Sequence, residues 1–225
     1  MTSGSRKLTT ANRWGQAEAA AGAIVAVLLL ALNPAAPTWL SYLLLWLPML
    51  TAVIAAGRRR NSIDKTASVR INIRITWFDL LVGAFAGLLL RMAMMLAELT
   101  SVGHVTSSSS MFDYERNLLW VATAIVAPGI IAPVVEELFF RGLVLPAVGV
   151  NWLGIISSAT IFSAIHLLVG FNALTATSTF IAGILFGLLA VKTRRLGASI
   201  VAHIVYNSSL IAMSELGGMT GITLG

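Results

Sequence analysis

The chain has 225 residues, of which 57% are hydrophobic and only 11% are charged. This composition is far more apolar than that of soluble globular domains, so it indicates an integral membrane protein. The absence of cysteine excludes thiol nucleophiles, disulfide bonds and cysteine metal ligands, which leaves histidine and carboxylate groups as the reactive side chains.

Seven apolar segments, each close to the roughly 20 residues that cross a bilayer core, predict an all-α, polytopic transmembrane helical bundle. They cover residues 17–32, 39–56 and 77–96, a segment that begins near Asn117, and residues 153–169, 175–191 and 196–213. The first segment resembles part of a signal peptide, but it leads directly into another apolar segment, so we expect a retained helix.

The net charge of +6 is concentrated in one loop between apolar segments, which carries Arg58, Arg59, Arg60, Lys65, Arg70 and Arg74. Basic residues between apolar segments are typical of a cytoplasmic loop. With a cytoplasmic amino terminus, this loop and the turn 192–195 lie inside, and the polar loop 101–110 lies outside. We therefore expect contact with the lipid bilayer and no nucleic-acid partner.

The fourth segment contains the only charged side chains between Asn117 and Val191, namely Glu136, Glu137 and Arg141. Such groups cost roughly 2.5 to 3.5 kcal/mol each at membrane depth, so they persist where function or pairing holds them. Glu137 and Arg141 have the favourable four-residue spacing of an ion pair, whereas Glu136 projects about 100° away and is left free to act. Alone, this motif is equally consistent with a polar clamp between helices.

The same segment has Pro128, Gly129 and Pro133 before the glutamates and Pro146 after them. We expect an irregular or broken helix, which is tolerated at membrane depth where it faces protein or a wet cavity. Such a backbone suits a polar site.

Two histidines lie in later apolar segments, each with a companion four residues away on the same helical face. The pairs are Phe162 with His166 and His203 with Asn207. A single transmembrane histidine is commonly an interhelical hydrogen-bond partner. However, a carboxylate, two imidazoles and an amide are the groups needed to activate water and hold an oxyanion, so the combination favours hydrolysis.

In spacing and order, the motifs EExxxR, FxxxH and HxxxN resemble the CPBP family of intramembrane endopeptidases. This family includes the type II CAAX prenyl proteases and bacterial bacteriocin-processing and immunity proteins. The resemblance covers about residues 115 to 215 and not the first three spans. It predicts an amino-terminal region at 1–115, a catalytic core at 116–215 and a tail at 216–225.

The resemblance implies four catalytic residues, Glu136, His166, His203 and Asn207, and three supporting or substrate-binding residues, Glu137, Arg141 and Phe162. Glu136 would be the general base on a water shared with His166. His203 and Asn207 would stabilise the oxyanion. The expected partner is a membrane-associated protein or peptide, prenylated or not.

A zinc site is the competing mechanism, because Glu136, His166 and His203 with an open water position make a familiar catalytic ligand set. The residues alone do not separate the two mechanisms, and the resemblance favours the one without a metal or other cofactor. The chain has no HExxH motif, so the usual two-histidine zinc helix is not expected.

We therefore expect an intramembrane endopeptidase that is a multi-pass protein of a bacterial cell membrane. The alternative is a non-catalytic membrane protein. It would be a bacteriocin-immunity or scaffold protein that keeps the core for binding, or a small transporter that uses the polar cluster as an ion site.

Overall fold

The computed structural model describes residues 3–63, 72–101, 118–168 and 173–220. Within these ranges all regular structure is helical, which confirms the predicted all-α class. The helices are α1 (Ser3–Ala31), α2 (Thr38–Ile63), α3 (Trp77–Ser101), α4 (Leu118–Val148), α5 (Trp152–Leu168), α6 (Ala173–Thr193) and α7 (Gly197–Thr220). Lys65, Arg70 and most of the predicted outer loop 101–110 lie outside the described residues.

Four stretches of the described helices are long and apolar enough to cross a membrane, namely Thr38–Arg59, Trp77–Ala97, Leu118–Val148 and Leu174–Thr193. Three shorter apolar helices are Gly15–Ala31, Trp152–Leu168 and Gly197–Met213. These seven helices correspond to the seven predicted segments, and they support an integral membrane protein. The number of crossings and the cytoplasmic amino terminus stay predictions.

Helix α4 is continuous, but it is widened in two places. Val121–Ile131, which we call the first π-helical stretch, and Phe140–Val144 have π-helical geometry. In this geometry a backbone N–H bonds the carbonyl five residues earlier, as the N–H of Ala132 does with Ala127. The irregularity expected from the prolines therefore appears as widened turns within one helix and not as a break.

The prolines of α4 explain how its neighbours hold the first π-helical stretch. Proline has no N–H, so Pro128 and Pro133 leave the carbonyls of Thr123 and Pro128 without the donor that this geometry would supply. The Tyr42 hydroxyl of α2 donates to the Thr123 carbonyl at 3.2 Å, and the Asn207 amide of α7 donates to the Pro128 carbonyl at 2.9 Å. Both bonds tie α4 to the bundle.

Small residues allow the close packing of α3 against α7. A Cβ atom on Gly87 would overlap the backbone oxygen of Ala202, and one on Gly83 would lie 2.6 Å from that of Ala198. Small residues at this four-residue spacing are typical of helices that approach closely in membranes. The third helix therefore packs directly on the last one.

The ends of α3 and α6 meet through a buried carboxylate. Asp79 is fully buried and accepts a hydrogen bond from Nε of Arg195, at 2.8 Å to Oδ2. The N–H of Leu196 also donates to the carbonyl of Asn72 at 2.8 Å. The described end of the basic loop and the turn 192–195 thus lie on the same side of the bundle, as the charge pattern predicts.

We predict that Gly87→Ala lowers the melting temperature, because its new Cβ overlaps the backbone of α7. Overpacking of this kind typically costs about 1–3 kcal/mol of unfolding free energy. Gly57→Ala is the control, since a Cβ there meets nothing within 4 Å. Thermal unfolding in detergent measures both variants, and equal melting temperatures would contradict the close contact of α3 and α7.

Candidate active site

A cavity of about 180 Å³ lies among α2, α4, α5, α6 and α7. Its lining includes all four residues for which catalysis is predicted, Glu136, His166, His203 and Asn207. They come from α4, α5 and α7, so the fold brings together three motifs that are distant in sequence. A cavity of this size has room for several water molecules, and these four side chains supply polar partners for them.

Glu137 lies behind the cavity and is fully buried. Its Oε1 atom accepts two hydrogen bonds, from Nη1 of Arg141 at 2.7 Å and from Nδ1 of His203 at 3.0 Å. The ion pair predicted from the four-residue spacing is therefore present. An ionised carboxylate accepts but does not donate, so Nδ1 of His203 carries a proton and Nε2 is the other ring nitrogen available for chemistry.

Arg141 is anchored on three sides of the same cluster. Its Nη2 donates to the carbonyl of Gly183 on α6 at 3.0 Å, and its guanidinium carbon lies 4.9 Å from the ring centroid of Phe162 and 5.5 Å from that of Phe186. Cation–π contacts of this kind help to hold a desolvated guanidinium. Because neither Arg141 nor Glu137 lines the cavity, the geometry favours support over substrate binding for both.

Glu136 lines the cavity directly, although it is adjacent to Glu137 in sequence. Its Oε2 lies 3.7 Å from Nε2 of His203, which is close enough for an ionic contact but too long for a hydrogen bond. His203 therefore lies between the two glutamates, with Nδ1 bonded to Glu137 and Nε2 on the side of Glu136. Glu137 therefore holds the His203 ring, whereas Glu136 faces the cavity.

The histidine of α5 is held by its own helix. Nδ1 of His166 lies 2.8 Å from the carbonyl of Phe162. A carbonyl only accepts, so Nδ1 donates, and Nε2 is the accepting nitrogen of the neutral ring. The Phe162 ring packs edge-on against both histidines, with centroids 4.5 Å from His166 and 5.8 Å from His203. Phe162 thus contacts both imidazoles.

Asn207 combines a structural bond with a place in the cavity. One N–H of its amide donates to the Pro128 carbonyl of α4 at 2.9 Å. An asparagine amide carries a second N–H, which this bond does not use. The arrangement gives the cavity a neutral donor whose position is fixed by α4.

The zinc mechanism would need a set of metal ligands in the part of the chain that the structure describes. There, no group of three or more His, Cys, Asp or Glu side chains is arranged to hold a metal ion. Glu136, His166 and His203 share the cavity but do not form such a group. The choice between the metal-free and the zinc mechanism stays a prediction.

Two aromatic residues of α2 that line the cavity were not identified from the sequence. Tyr42 and Trp46 of α2 line the cavity, and their rings stack with centroids 4.7 Å apart and planes inclined by 6°. Tyrosine and tryptophan are common at the membrane interface, so they carry no signal of a site within an apolar segment. Their role depends on which helix packs beside α4, and helical periodicity does not give this information.

We predict that Glu137→Gln and Arg141→Met lower the melting temperature and the folded yield more than Glu136→Gln does. Removing one member of a buried ion pair leaves an uncompensated charge, which typically costs about 3–5 kcal/mol of unfolding free energy. Glu136 is outside that pair, so its replacement should be milder. Thermal unfolding and size-exclusion profiles measure the difference, and equal yields would count against a supporting role for the pair.

Comparison with protein families gives an independent finding. Residues 118–209 match the family described as type II CAAX prenyl endopeptidase Rce1-like. This range includes the whole cluster of predicted site residues and ends within α7. Comparisons with curated proteins and with solved structures gave no match. The family match supports protease activity in general terms, in a protein of the membrane. Residues 118–209 are therefore similar to the type II CAAX prenyl endopeptidase Rce1-like family, in agreement with the resemblance of the three motifs.

Proposed function

We propose that the protein is an intramembrane endopeptidase that hydrolyses a peptide bond of a membrane-associated protein or peptide in this cavity. The observation that carries the proposal is that one carboxylate, two imidazoles and one amide, from three helices, line the same small cavity. These groups suffice to activate a water molecule and to stabilise a tetrahedral intermediate.

Glu136 is the general base in this proposal. Of the two adjacent acids it is the one that lines the cavity, whereas an oxygen of Glu137 already accepts hydrogen bonds from Arg141 and His203. A water molecule in the cavity gives one proton to Glu136 and is oriented by a bond to Nε2 of His166. The oxygen of the water then attacks the carbonyl carbon of the substrate. When the tetrahedral intermediate collapses, the C–N bond breaks and Glu136 returns its proton to the leaving nitrogen.

His203 and Asn207 act as donors to the oxyanion that forms. Nδ1 of His203 is bonded to Glu137, so donation through Nε2 requires a ring that carries both protons. The carboxylate of Glu137 lies 3.0 Å from that ring and compensates its charge. The second N–H of Asn207 supplies a neutral donor beside it.

The test is peptide release in proteoliposomes from a panel of prenylated and unprenylated membrane peptides. We expect wild type to cleave a member of the panel, Glu136→Gln to abolish cleavage, and Asn207→Ala to lower kcat by about 10²–10³-fold, the usual effect of losing an oxyanion donor. Thr160→Val is the control, because this exposed hydroxyl bonds only its own helix, at 2.9 Å to the Ile156 carbonyl.

Variants are compared at matched folded yield. Equal release by wild type and Glu136→Gln would show a contaminant and would contradict the proposal. A non-catalytic binding protein would retain its partner in the Glu136→Gln variant while no preparation cleaved any peptide. A transporter would more readily show paired interrupted helices, whereas the widened turns in the described residues are confined to α4.

We expect cleavage to survive chelation, because the proposed chemistry uses only protein side chains and water. Purified protein is dialysed against a chelator with high zinc affinity, and its rate is compared with that of an untreated sample. Loss of activity that returns on addition of zinc would overturn the metal-free mechanism and would restore Glu136, His166 and His203 as candidate ligands.

A further inference from the structure

Helix α2 forms one wall of the cavity, although it lies outside the family match at residues 118–209. Tyr42 connects this wall to α4, because its ring lines the cavity and its hydroxyl donates to the Thr123 carbonyl at 3.2 Å. The ring itself is fixed by stacking on Trp46, which is 7% exposed. The stacked ring therefore fixes the position of the hydroxyl beside α4.

The Thr123 carbonyl is the one that Pro128 deprives of its donor in the π-helical register. Tyr42 supplies that donor from α2, as Asn207 does for the Pro128 carbonyl from α7. Without a donor from outside α4, the same carbonyl would be better satisfied by ordinary α-helical winding, with a bond to the residue four places later. Tyr42 therefore favours the widened form of the first π-helical stretch.

The winding of this stretch determines which side chains of α4 face the cavity. Glu136 follows Pro128 by about two turns of the same helix, and each residue of an α-helix turns the chain by about 100°. Returning the first π-helical stretch to α-helical winding would shift the register by one residue and turn Glu136 by about that angle. The same angle separates Glu136 from Glu137, so the winding decides which position is aimed at the cavity.

We propose that Tyr42 is a positioning residue for Glu136, and that it acts by holding the first π-helical stretch in its widened form. The inference rests on the proposed function, because it takes Glu136 to be the general base. Tyr42 has no part in the chemistry itself. Its hydroxyl fixes the backbone of α4 and thereby the orientation of the Glu136 carboxylate toward the water.

The first experiment is steady-state kinetics of Tyr42→Phe in proteoliposomes, since phenylalanine keeps the ring and its stack on Trp46. We expect kcat to fall about tenfold with KM changed less than twofold, which is the effect of one hydrogen bond of ordinary strength on the transition state alone. Thr51→Val is the matched control on α2, because its exposed hydroxyl bonds the Leu47 carbonyl of the same helix at 2.7 Å. It should leave both constants unchanged.

The variant Val53→Ala tests whether Tyr42 has only a structural role in α2. It removes buried volume from α2 away from the cavity. This variant should lower the melting temperature at least as much as Tyr42→Phe while keeping kcat. If kcat fell equally in both variants, or if kcat were unchanged in Tyr42→Phe, the proposal would be overturned.

The second experiment does not depend on protease activity, and it uses the absence of cysteine from the chain. A single cysteine at Glu136→Cys is modified by a small neutral thiol reagent, with and without Tyr42→Phe. We expect the modification rate to fall several-fold in the double variant, because the side chain turns out of the cavity. An equal rate would overturn the positioning role. A fall in rate together with silence of wild type in every cleavage assay would support the positioning role and reject the proposed function.

Discussion

The carboxylate of Glu137 is the group on which the rest of the site depends. One of its oxygens binds Arg141 of the same helix and His203 of α7, and Arg141 in turn binds the Gly183 carbonyl of α6. A charge at this depth persists only when it is paired and hydrogen-bonded. Glu137 and Arg141 together therefore connect three helices, and the orientation of the His203 ring depends on an ion pair that does not line the cavity. Oε2 of Glu137 and Nε of Arg141 have no hydrogen-bond partner within the described ranges, so the cluster is better explained by the position it gives to His203 than by stability.

A second constraint comes from the backbone of α4. Its prolines remove helical donors, and the uncovered carbonyls are satisfied by Tyr42 of α2 and Asn207 of α7. Irregular backbone inside a membrane is tolerated when neighbouring side chains complete its hydrogen bonds. As a result, the site and the bundle are assembled by the same contacts. Both α2 and α7 thus complete the hydrogen bonds of the helix that carries Glu136.

Much of the site could be predicted from residue spacing, because four-residue intervals place side chains on one helical face. The pair of Glu137 with Arg141 and the different direction of Glu136 are both of this local kind. The bond between Glu137 and His203 and the contribution of α2 through Tyr42 were not predicted. Periodicity identifies the apolar or polar face of a helix, but it does not say which helix lies beside it. The roles expected for Glu136, His166, His203 and Asn207 came from the family resemblance. The contacts that orient each of these side chains could be seen only in the packed structure.

Adjacent acids on one helix are well suited to different tasks because they cannot face the same way. With His203 carrying both ring protons, as donation to the oxyanion requires, Glu136, Glu137, Arg141 and His203 carry no net charge, since two carboxylates face one guanidinium and one imidazolium. In the proposed mechanism Glu136 takes a proton from water, and the negative charge moves to the substrate oxygen beside His203 and Asn207. The total charge of the buried region stays constant, and the charge is displaced by only a few ångström, roughly the distances over which such pairs interact. A low-dielectric site penalises new charge far more than moved charge. The fixed Arg141–Glu137 pair thus allows hydrolysis to proceed by displacing a charge that the fold already holds.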